Sequence, residues 1–172
     1  AGLLSDINAD LIDCYRQIRD NPDGVIGILN GLPNNEKSYY RIRSWVPSSA
    51  TEGAARLIYL TSLSFNGIHR LNLSGQFNVP YGHKTHLTPC DPVKIHEISR
   101  ALEPMRLDCC DFESAIQGAE EGDLVYLDPP YTVAHGNNGF LKYNSRMFLW
   151  EDQIRLAATA KELASRGCWT IV

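Results

Sequence analysis

The stretch DLVYLDPPYTV, residues 123–133, joins a short apolar run to an acid, two prolines and an aromatic residue. The run Asp123–Leu127 has the length and composition of a buried strand. Proline lacks a backbone N–H and favours extended geometry in the residue before it. Pro129 therefore ends the strand and holds Asp128 extended at its tip. The sequence predicts a carboxylate fixed at the end of a buried strand.

The four residues Asp128, Pro129, Pro130 and Tyr131 offer acceptors and a flat ring but few donors. The carbonyl groups of Asp128 and Pro129 stay free, because neither proline has an N–H to compete for them. This combination suits a planar ring with an exocyclic amino group, stacked on Tyr131 and hydrogen-bonded to Asp128. Accepting the amino hydrogens localises the nitrogen lone pair for attack on an electrophile. On the residues alone, a strand that ends in an ordinary tight loop is the alternative.

Strands and helices alternate around this stretch. Further strands are predicted up to Asp6, over Met105–Cys110 and over Cys168–Val172, with helical periodicity between them. The alternation predicts an α/β fold with a mostly parallel sheet that carries helices on its faces. Ligands bind such sheets at the carboxyl ends of the strands. Asp6, Asp111 and Asp128 follow strands and are therefore candidate ligand contacts.

The middle of the chain differs from both ends. Helices are predicted after Asn8, which is placed to cap the first one, and after Thr51. From Phe65 to Pro92 neither the helical nor the strand period holds, and a segment of that length without regular structure is usually functional. Between Lys37 and Thr88 there are six basic residues and one acidic residue, although the net charge of the chain is −4. This charge suits a polyanion-binding module, or equally a solvated basic face.

Composition excludes several classes of protein. The five cysteines include no CxxC pair, which argues against a disulfide framework and for a reducing, intracellular compartment. No apolar run is long enough to span a membrane. The cluster His83, His86, Cys90 and Asp91 contains metal-ligand types, but without paired cysteines we predict no metal site.

Two motifs resemble a known family. DPPY is the hallmark of the S-adenosylmethionine-dependent amino methyltransferases, which act on DNA adenine, on RNA bases or, as NPPY, on protein glutamine. The segment FNGIHRLNLSGQFNVPYGHKT, residues 65–85, is similar to the FNG/YNG…R.N..GEFNVPFG segment of the Dam-type (D12 class) N6-adenine DNA methyltransferases. SDIN precedes it and CDF lies between it and DPPY, in the order that the family has.

The resemblance implies a Rossmann-like methyltransferase fold, incomplete at both ends, since the Gly-rich element before SDIN and the strands after Val172 are missing. Residues 1–30 and 94–172 would form the S-adenosylmethionine-binding catalytic domain, and 31–93 an inserted, mainly helical target-recognition domain. Such an incomplete sheet is expected either to self-associate through an exposed edge at Leu124–Leu127 or to be only marginally stable.

The resemblance also implies roles for the acids. Asp6 would bind the ribose hydroxyls of S-adenosylmethionine, and Asp111 its adenine, with Phe112 beside the ring. Asp128 would also contact this cofactor. Asp128 and the Pro129 carbonyl would hold the N6 amine of an adenine flipped out of the duplex, and Tyr131 would stack on it. Asp6 and Asp111 could instead cap helices.

For DNA, the resemblance implies that Phe65 enters the duplex and that nearby residues reach base edges. The predicted base-contacting residues are Asn66, Ile68, Arg70 and Pro80, and the predicted phosphate contacts are Arg41, Arg43 and Lys84. Ile68 stands where the family carries Leu. The expected activity is transfer of a methyl group from S-adenosylmethionine to adenine N6 in a GATC-like site of double-stranded DNA, in a bacterial or phage-encoded cytoplasmic enzyme of the kind found in restriction-modification. An RNA-directed enzyme and a non-catalytic DNA-binding fragment are the alternatives.

Overall fold

The computed structural model describes residues 2–72, 74–130 and 148–172, and it divides into two compact units. The first is Ala1–Cys109 and the second Cys110–Val172.

Two parallel strands and five helices form the regular part of the first unit. In chain order they are β1 Gly2–Asp6, α1 Ala9–Asp20, α2 Pro22–Asn30, α3 Glu36–Ser44, α4 Ala50–Leu63, α5 Pro92–Leu102 and β2 Met105–Cys109. β1 and β2 pair from Gly2 opposite Met105 to Asp6 opposite Cys109. The parallel pairing confirms that the first predicted strand and the strand near residue 105 belong to one sheet.

Side-chain caps explain where the helices of this unit begin. Asn8 accepts the backbone N–H of Leu11, which confirms the predicted cap of α1. The prediction of Thr51 as a cap is wrong, because α4 begins two residues earlier and Ser49 accepts the N–H of Glu52. Thr51 instead lies inside α4, where its hydroxyl donates to Gln17 at 2.8 Å. Periodicity locates a helix but leaves its first residue uncertain by one or two positions.

The core of the first unit lies where α4 packs against α1 and α2. Its fully buried side chains include Ile12, Leu29, Tyr59, Leu60 and Leu63. Each buried aliphatic side chain of this size contributes roughly 1.5–3 kcal/mol relative to an exposed one. Helix α4 is thus the central support of the segment that follows it.

That segment, predicted to be irregular, contains a short antiparallel hairpin formed by residues 68–72 and 74–80. Leu71 bridges Phe77, and the N–H of Asn78 donates to the Arg70 carbonyl at 3.0 Å. A short 3₁₀ turn at Phe65–Gly67 precedes the hairpin. The sequence pattern does not predict this hairpin, because its two arms are only a few residues long and glycine and asparagine lie between them.

Glycine is required at position 82, beside the base of the hairpin. The N–H of Gly82 donates to the Leu63 carbonyl at 2.8 Å. A Cβ on Gly82 would lie 2.6 Å from the carbonyl oxygen of Ser64, closer than any side-chain carbon approaches backbone. The close approach ties the hairpin to the end of α4.

The second unit contains α6 Phe112–Ala115, β3 Leu124–Tyr126, α7 Trp150–Ser165 and β4 Trp169–Ile171. β3 and β4 are parallel, with Leu124 opposite Trp169 and Tyr126 opposite Ile171. A small core forms beneath α7 from Ile116, Leu127, Leu163 and Cys168.

The prediction that β3 is buried is correct for one face only. Leu124 and Tyr126 are 66% and 68% exposed, and their partners on β4, Trp169 and Ile171, are 71% and 50% exposed. An apolar run cannot reveal this, because strand residues point alternately to two faces that are covered independently. Self-association through this strand stays a prediction.

Helices alternating with small parallel sheets establish a mixed α/β fold. The strands form two separate two-stranded parallel sheets within the described residues. A continuous Rossmann-like sheet and the division into domains 1–30 with 94–172 and 31–93 stay predictions. In the described part of the chain, no helix is both long and apolar enough to cross a bilayer.

Candidate catalytic and nucleic-acid-binding sites

Asp128 lies just beyond β3, as the sequence predicts. The Leu127 N–H donates to the Ile171 carbonyl at 2.8 Å, so pairing with β4 continues to the residue before Asp128. Asp128 and Pro130 are exposed and Pro129 is half-buried. Tyr131 lies outside the described residues. The strand therefore presents a solvent-accessible carboxylate at its carboxyl end, followed by two residues without N–H donors.

Asp6 occupies the equivalent position at the end of β1. One of its carboxylate oxygens accepts the N–H of Asn8 at 2.6 Å, and Asn8 in turn caps α1. Asn8, and not Asp6, is therefore the cap of α1. Among the described residues nothing donates to its second oxygen, which leaves that atom able to accept a hydroxyl.

Asp111 combines two local roles. Its Oδ1 accepts the N–H of Glu113 at 3.1 Å, capping α6, and also accepts Nη2 of Arg155 at 2.7 Å. Within the described part of the chain, Oδ2 of Asp111 accepts no hydrogen bond. The guanidinium of Arg155 lies over the Phe112 ring, 4.8 Å from its centroid. Asp111 and Phe112, two of the predicted cofactor contacts, are therefore joined by one side chain.

Arg155 holds three acids at once. It pairs with Glu113 at 2.7 Å and with Asp152 at 2.8 Å as well as with Asp111. The hydrogen bond to Glu113 is the main cause that raises the pKa of Arg155, and those to Asp152 and Asp111 add to it against desolvation. Sequence reasoning missed Arg155. The i, i+3 spacing from Asp152 indicates one pair, but nothing local indicates a partner near residue 111.

The hairpin brings several of the predicted DNA contacts together. Phe65 is 53% exposed, and its N–H donates to the Pro80 carbonyl at 3.0 Å. Asn66, beside it, has a φ of 53°, a left-handed conformation that asparagine adopts more readily than most residues. Arg70 donates from Nε to Oδ1 of Asn78 at 2.8 Å. Ile68 differs from these, since it is half-buried against the core.

The predicted phosphate contacts occupy different environments. Arg41 is exposed. Arg43 donates to the Val79 carbonyl at 3.3 Å and lies 4.7 Å from the centroid of the Tyr40 ring. Lys84 donates to the Ser62 carbonyl at 3.1 Å. Arg43 and Lys84 therefore tie the segment around the hairpin to helices α3 and α4, a structural role that the sequence did not indicate.

The histidine-rich loop after the hairpin is not assembled as a metal centre in the residues that the structure describes. No three His, Cys, Asp or Glu side chains gather there or elsewhere among them. His83 and His86 are exposed, whereas Cys90 is buried with its Sγ 4.0 Å from the Ile26 carbonyl.

Comparison with known proteins identifies the family. The sequence model of the D12 class N6 adenine-specific DNA methyltransferases matches residues 1–171. The chain belongs to this class.

Three relatives of this D12-class chain illustrate the similarity. It is 37% identical to the type II methyltransferase M1.LlaDCHI of Lactococcus lactis subsp. cremoris, over 99% of this chain and 63% of the relative. Identity to the type II methyltransferase M.MjaIII of Methanocaldococcus jannaschii is 30%, over 96% of the chain and 62% of the relative. Identity to the DNA adenine methylase of Haemophilus influenzae is 33%, over 94% of the chain and 58% of the relative. The chain therefore spans about three fifths of the length of these three relatives.

Proposed function

We propose that the protein transfers a methyl group from S-adenosylmethionine to N6 of adenine in a GATC-like site of double-stranded DNA. The observation that carries the proposal is the exposed carboxylate of Asp128 at the end of β3, followed by Pro129 and Pro130, in a chain of the D12 class. Relatives named DNA adenine methylases support adenine as the target base.

Asp128 has the chemistry needed to act on an amino group. An ionised carboxylate accepts hydrogen bonds and donates none, and neither following proline has an N–H. An adenine turned out of the duplex would donate its N6 hydrogens to Asp128 and to the Pro129 carbonyl. These bonds draw the nitrogen lone pair out of the ring, so that the amine becomes a nucleophile. The contribution of the protein is orientation and selective hydrogen bonding.

The acids at the other strand ends fit the cofactor. S-adenosylmethionine supplies a methyl group on a positively charged sulfur. The open carboxylate oxygen of Asp6 suits a ribose hydroxyl, and Oδ2 of Asp111 suits the amino group of the cofactor adenine. Phe112 offers a ring edge beside Asp111, while Arg155 covers part of the face of the Phe112 ring. These residues bind and orient, and Asp128 acts on the substrate.

The hairpin suits sequence reading. Arg70 is the residue type that most often pairs with guanine in the major groove. Phe65 is an exposed aromatic at a turn, and such a ring is suited to fill the space that a flipped base leaves. Arg41 is an exposed cation suited to a phosphate, which positions a protein on DNA without specifying sequence.

The proposal is tested with matched alanine variants at the two ends of β3 in the intact protein. Asp128→Ala is expected to lower methyl transfer at least 10²-fold, measured by protection of a GATC duplex from a nuclease that cuts only unmethylated sites. Asp123→Ala removes an exposed acid from the other end of the strand and should keep transfer within about threefold, since it loses only a hydrogen bond to Glu120.

Three results would contradict the proposal. Full methylation by Asp128→Ala would show that this carboxylate does not hold the target amine. Duplex binding without uptake of S-adenosylhomocysteine, measured by calorimetry, would favour a DNA-binding module without catalysis. Preference for structured RNA over the duplex would favour the RNA-directed alternative.

A further inference from the structure

Arg70 and Asn78 lie directly opposite each other in the hairpin formed by residues 68–72 and 74–80. The Asn78 N–H donates to the Arg70 carbonyl at 3.0 Å, and Arg70 Nε donates to Asn78 Oδ1 at 2.8 Å. Paired residues of an antiparallel ladder point to the same face. Backbone and side chain therefore both hold Arg70 beside Asn78.

The neighbours of this pair show which face it occupies. Phe77 and Val79, on either side of Asn78, are buried at 6% and 2% exposure. Successive strand residues point to opposite faces. Arg70 and Asn78 consequently lie on the face turned away from the core, and both side chains are half-buried.

The hydrogen bond through Nε determines what Arg70 can offer to a ligand. A guanidinium has five N–H donors in a planar fork, of which Nε carries one. In the described part of the chain, neither terminal nitrogen of Arg70 donates to an acceptor. The four remaining N–H groups form the edge that matches the O6 and N7 acceptors of guanine.

Asn78 is also a neutral partner. A carboxylate at this position would hold the guanidinium but would cancel its charge in a pair. The amide oxygen holds Nε and leaves the positive charge available to the electronegative edge of guanine. Arginine loses rotamer freedom when it binds, and the bond to Asn78 restricts the side chain before DNA arrives.

We propose that Asn78 is a positioning residue that determines guanine preference by fixing the guanidinium of Arg70. The inference rests on the proposed function, in which Arg70 reads guanine. Asn78 makes its contribution through Arg70 and is required for discrimination between bases.

The test measures binding of the intact protein to two duplexes by fluorescence anisotropy. One carries GATC, and in the other 7-deazaguanine replaces the guanine of each strand, which removes the N7 acceptor and keeps base pairing. A bidentate pair gives roughly 5- to 150-fold discrimination, and the analogue loses one of its two bonds, so a ratio of about tenfold is expected for the wild type. Asn78→Ala should reduce this ratio to about twofold.

Two further variants separate positioning from folding. Asn78→Asp keeps the acceptor for Nε, so the ratio should stay near the wild-type value while affinity for both duplexes falls. Gln76→Ala removes a neighbouring exposed amide whose side-chain bond is to Asn72 rather than Arg70, and it should leave the ratio unchanged. Loss of the ratio in Asn78→Asp, or in Gln76→Ala to the same degree, would overturn the proposal.

A double-mutant cycle separates the inference from the function on which it rests. Arg70→Ala should abolish the ratio, and adding Asn78→Ala should then change nothing further. If Arg70→Ala abolishes the ratio but Asn78→Ala retains it, Arg70 reads guanine without help from Asn78 and the inference is wrong. If the wild type shows no preference for guanine, both the reading by Arg70 and the positioning by Asn78 are wrong.

Discussion

The carbonyl of Val79 links the hairpin to helix α3 through two donors. Val79 is 2% exposed, so this carbonyl is shielded from water. The hydroxyl of Tyr39, itself fully buried, donates to it at 3.1 Å, and Arg43 Nη1 donates to it at 3.3 Å. Because a carbonyl has two lone pairs, either donor alone can satisfy it. The two donors are therefore expected to compensate for each other.

The magnitudes follow from that geometry. Tyr39→Phe keeps the ring and loses one hydrogen bond while Arg43 remains, so it should lower the free energy of unfolding by about 0.5–1.5 kcal/mol. Arg43→Met keeps most of the aliphatic stem while Tyr39 remains, and it should cost no more than Tyr39→Phe does. The double variant leaves the buried Val79 carbonyl without either donor, which adds about 1–3 kcal/mol to the sum of the single effects.

Urea unfolding at neutral pH measures this non-additivity. With slopes of about 1–3 kcal/mol per molar urea, each kcal/mol moves the midpoint by roughly 0.3–1 M. Tyr39→Phe should therefore move the midpoint by roughly 0.2–1.5 M, and the double variant should move it by clearly more than both single variants together. Strict additivity, or an Arg43→Met variant that loses DNA affinity without any coupling to Tyr39, would refute the shared-carbonyl reasoning and favour Arg43 as a phosphate contact only.

Burial raises the pKa of Tyr39 and of Tyr59 to about 12 each. Tyrosine in an unfolded chain titrates near pH 10. The contribution of these two protonated hydroxyls to the free energy of unfolding is therefore complete below pH 10 and is lost as pH rises towards 12. Urea midpoints should fall over that range, and they should fall less when both residues are replaced by Phe. Gly82→Ala should destabilise by about 1–3 kcal/mol, because its Cβ would overlap a backbone carbonyl. The control Gly53→Ala, with open space around it in α4, should stabilise by about 0.5–1 kcal/mol; equal thermal shifts in the two variants would contradict this. Arg155→Met should weaken S-adenosylhomocysteine binding in calorimetry, because it releases Asp111 and Phe112, which are predicted cofactor contacts. Unchanged affinity would show that this network serves stability alone.

Local sequence signals were sufficient for the order of the helices and parallel strands and for an exposed carboxylate after β3. Hydrophobic periodicity and the cap at Asn8 depend on residues within a few positions of one another, and the structure confirms both. Two prolines after Asp128 likewise determine local backbone geometry through missing N–H groups and restricted torsions. For the same reason the FNG and DPPY motifs were enough to predict the family, since each is a continuous run.

Tertiary structure alone decided which distant groups meet. Arg155 pairs with Asp111, 44 positions earlier, and Arg43 donates to the carbonyl of Val79, 36 positions later. Every residue carries a carbonyl, so no pattern of side chains tells which one receives a given guanidinium. The exposed face of β3 was hidden for a related reason, because burial depends on the elements that pack on each face. Hydrophobic periodicity and helix caps depend on neighbouring residues, whereas contacts between distant residues depend on how the elements pack.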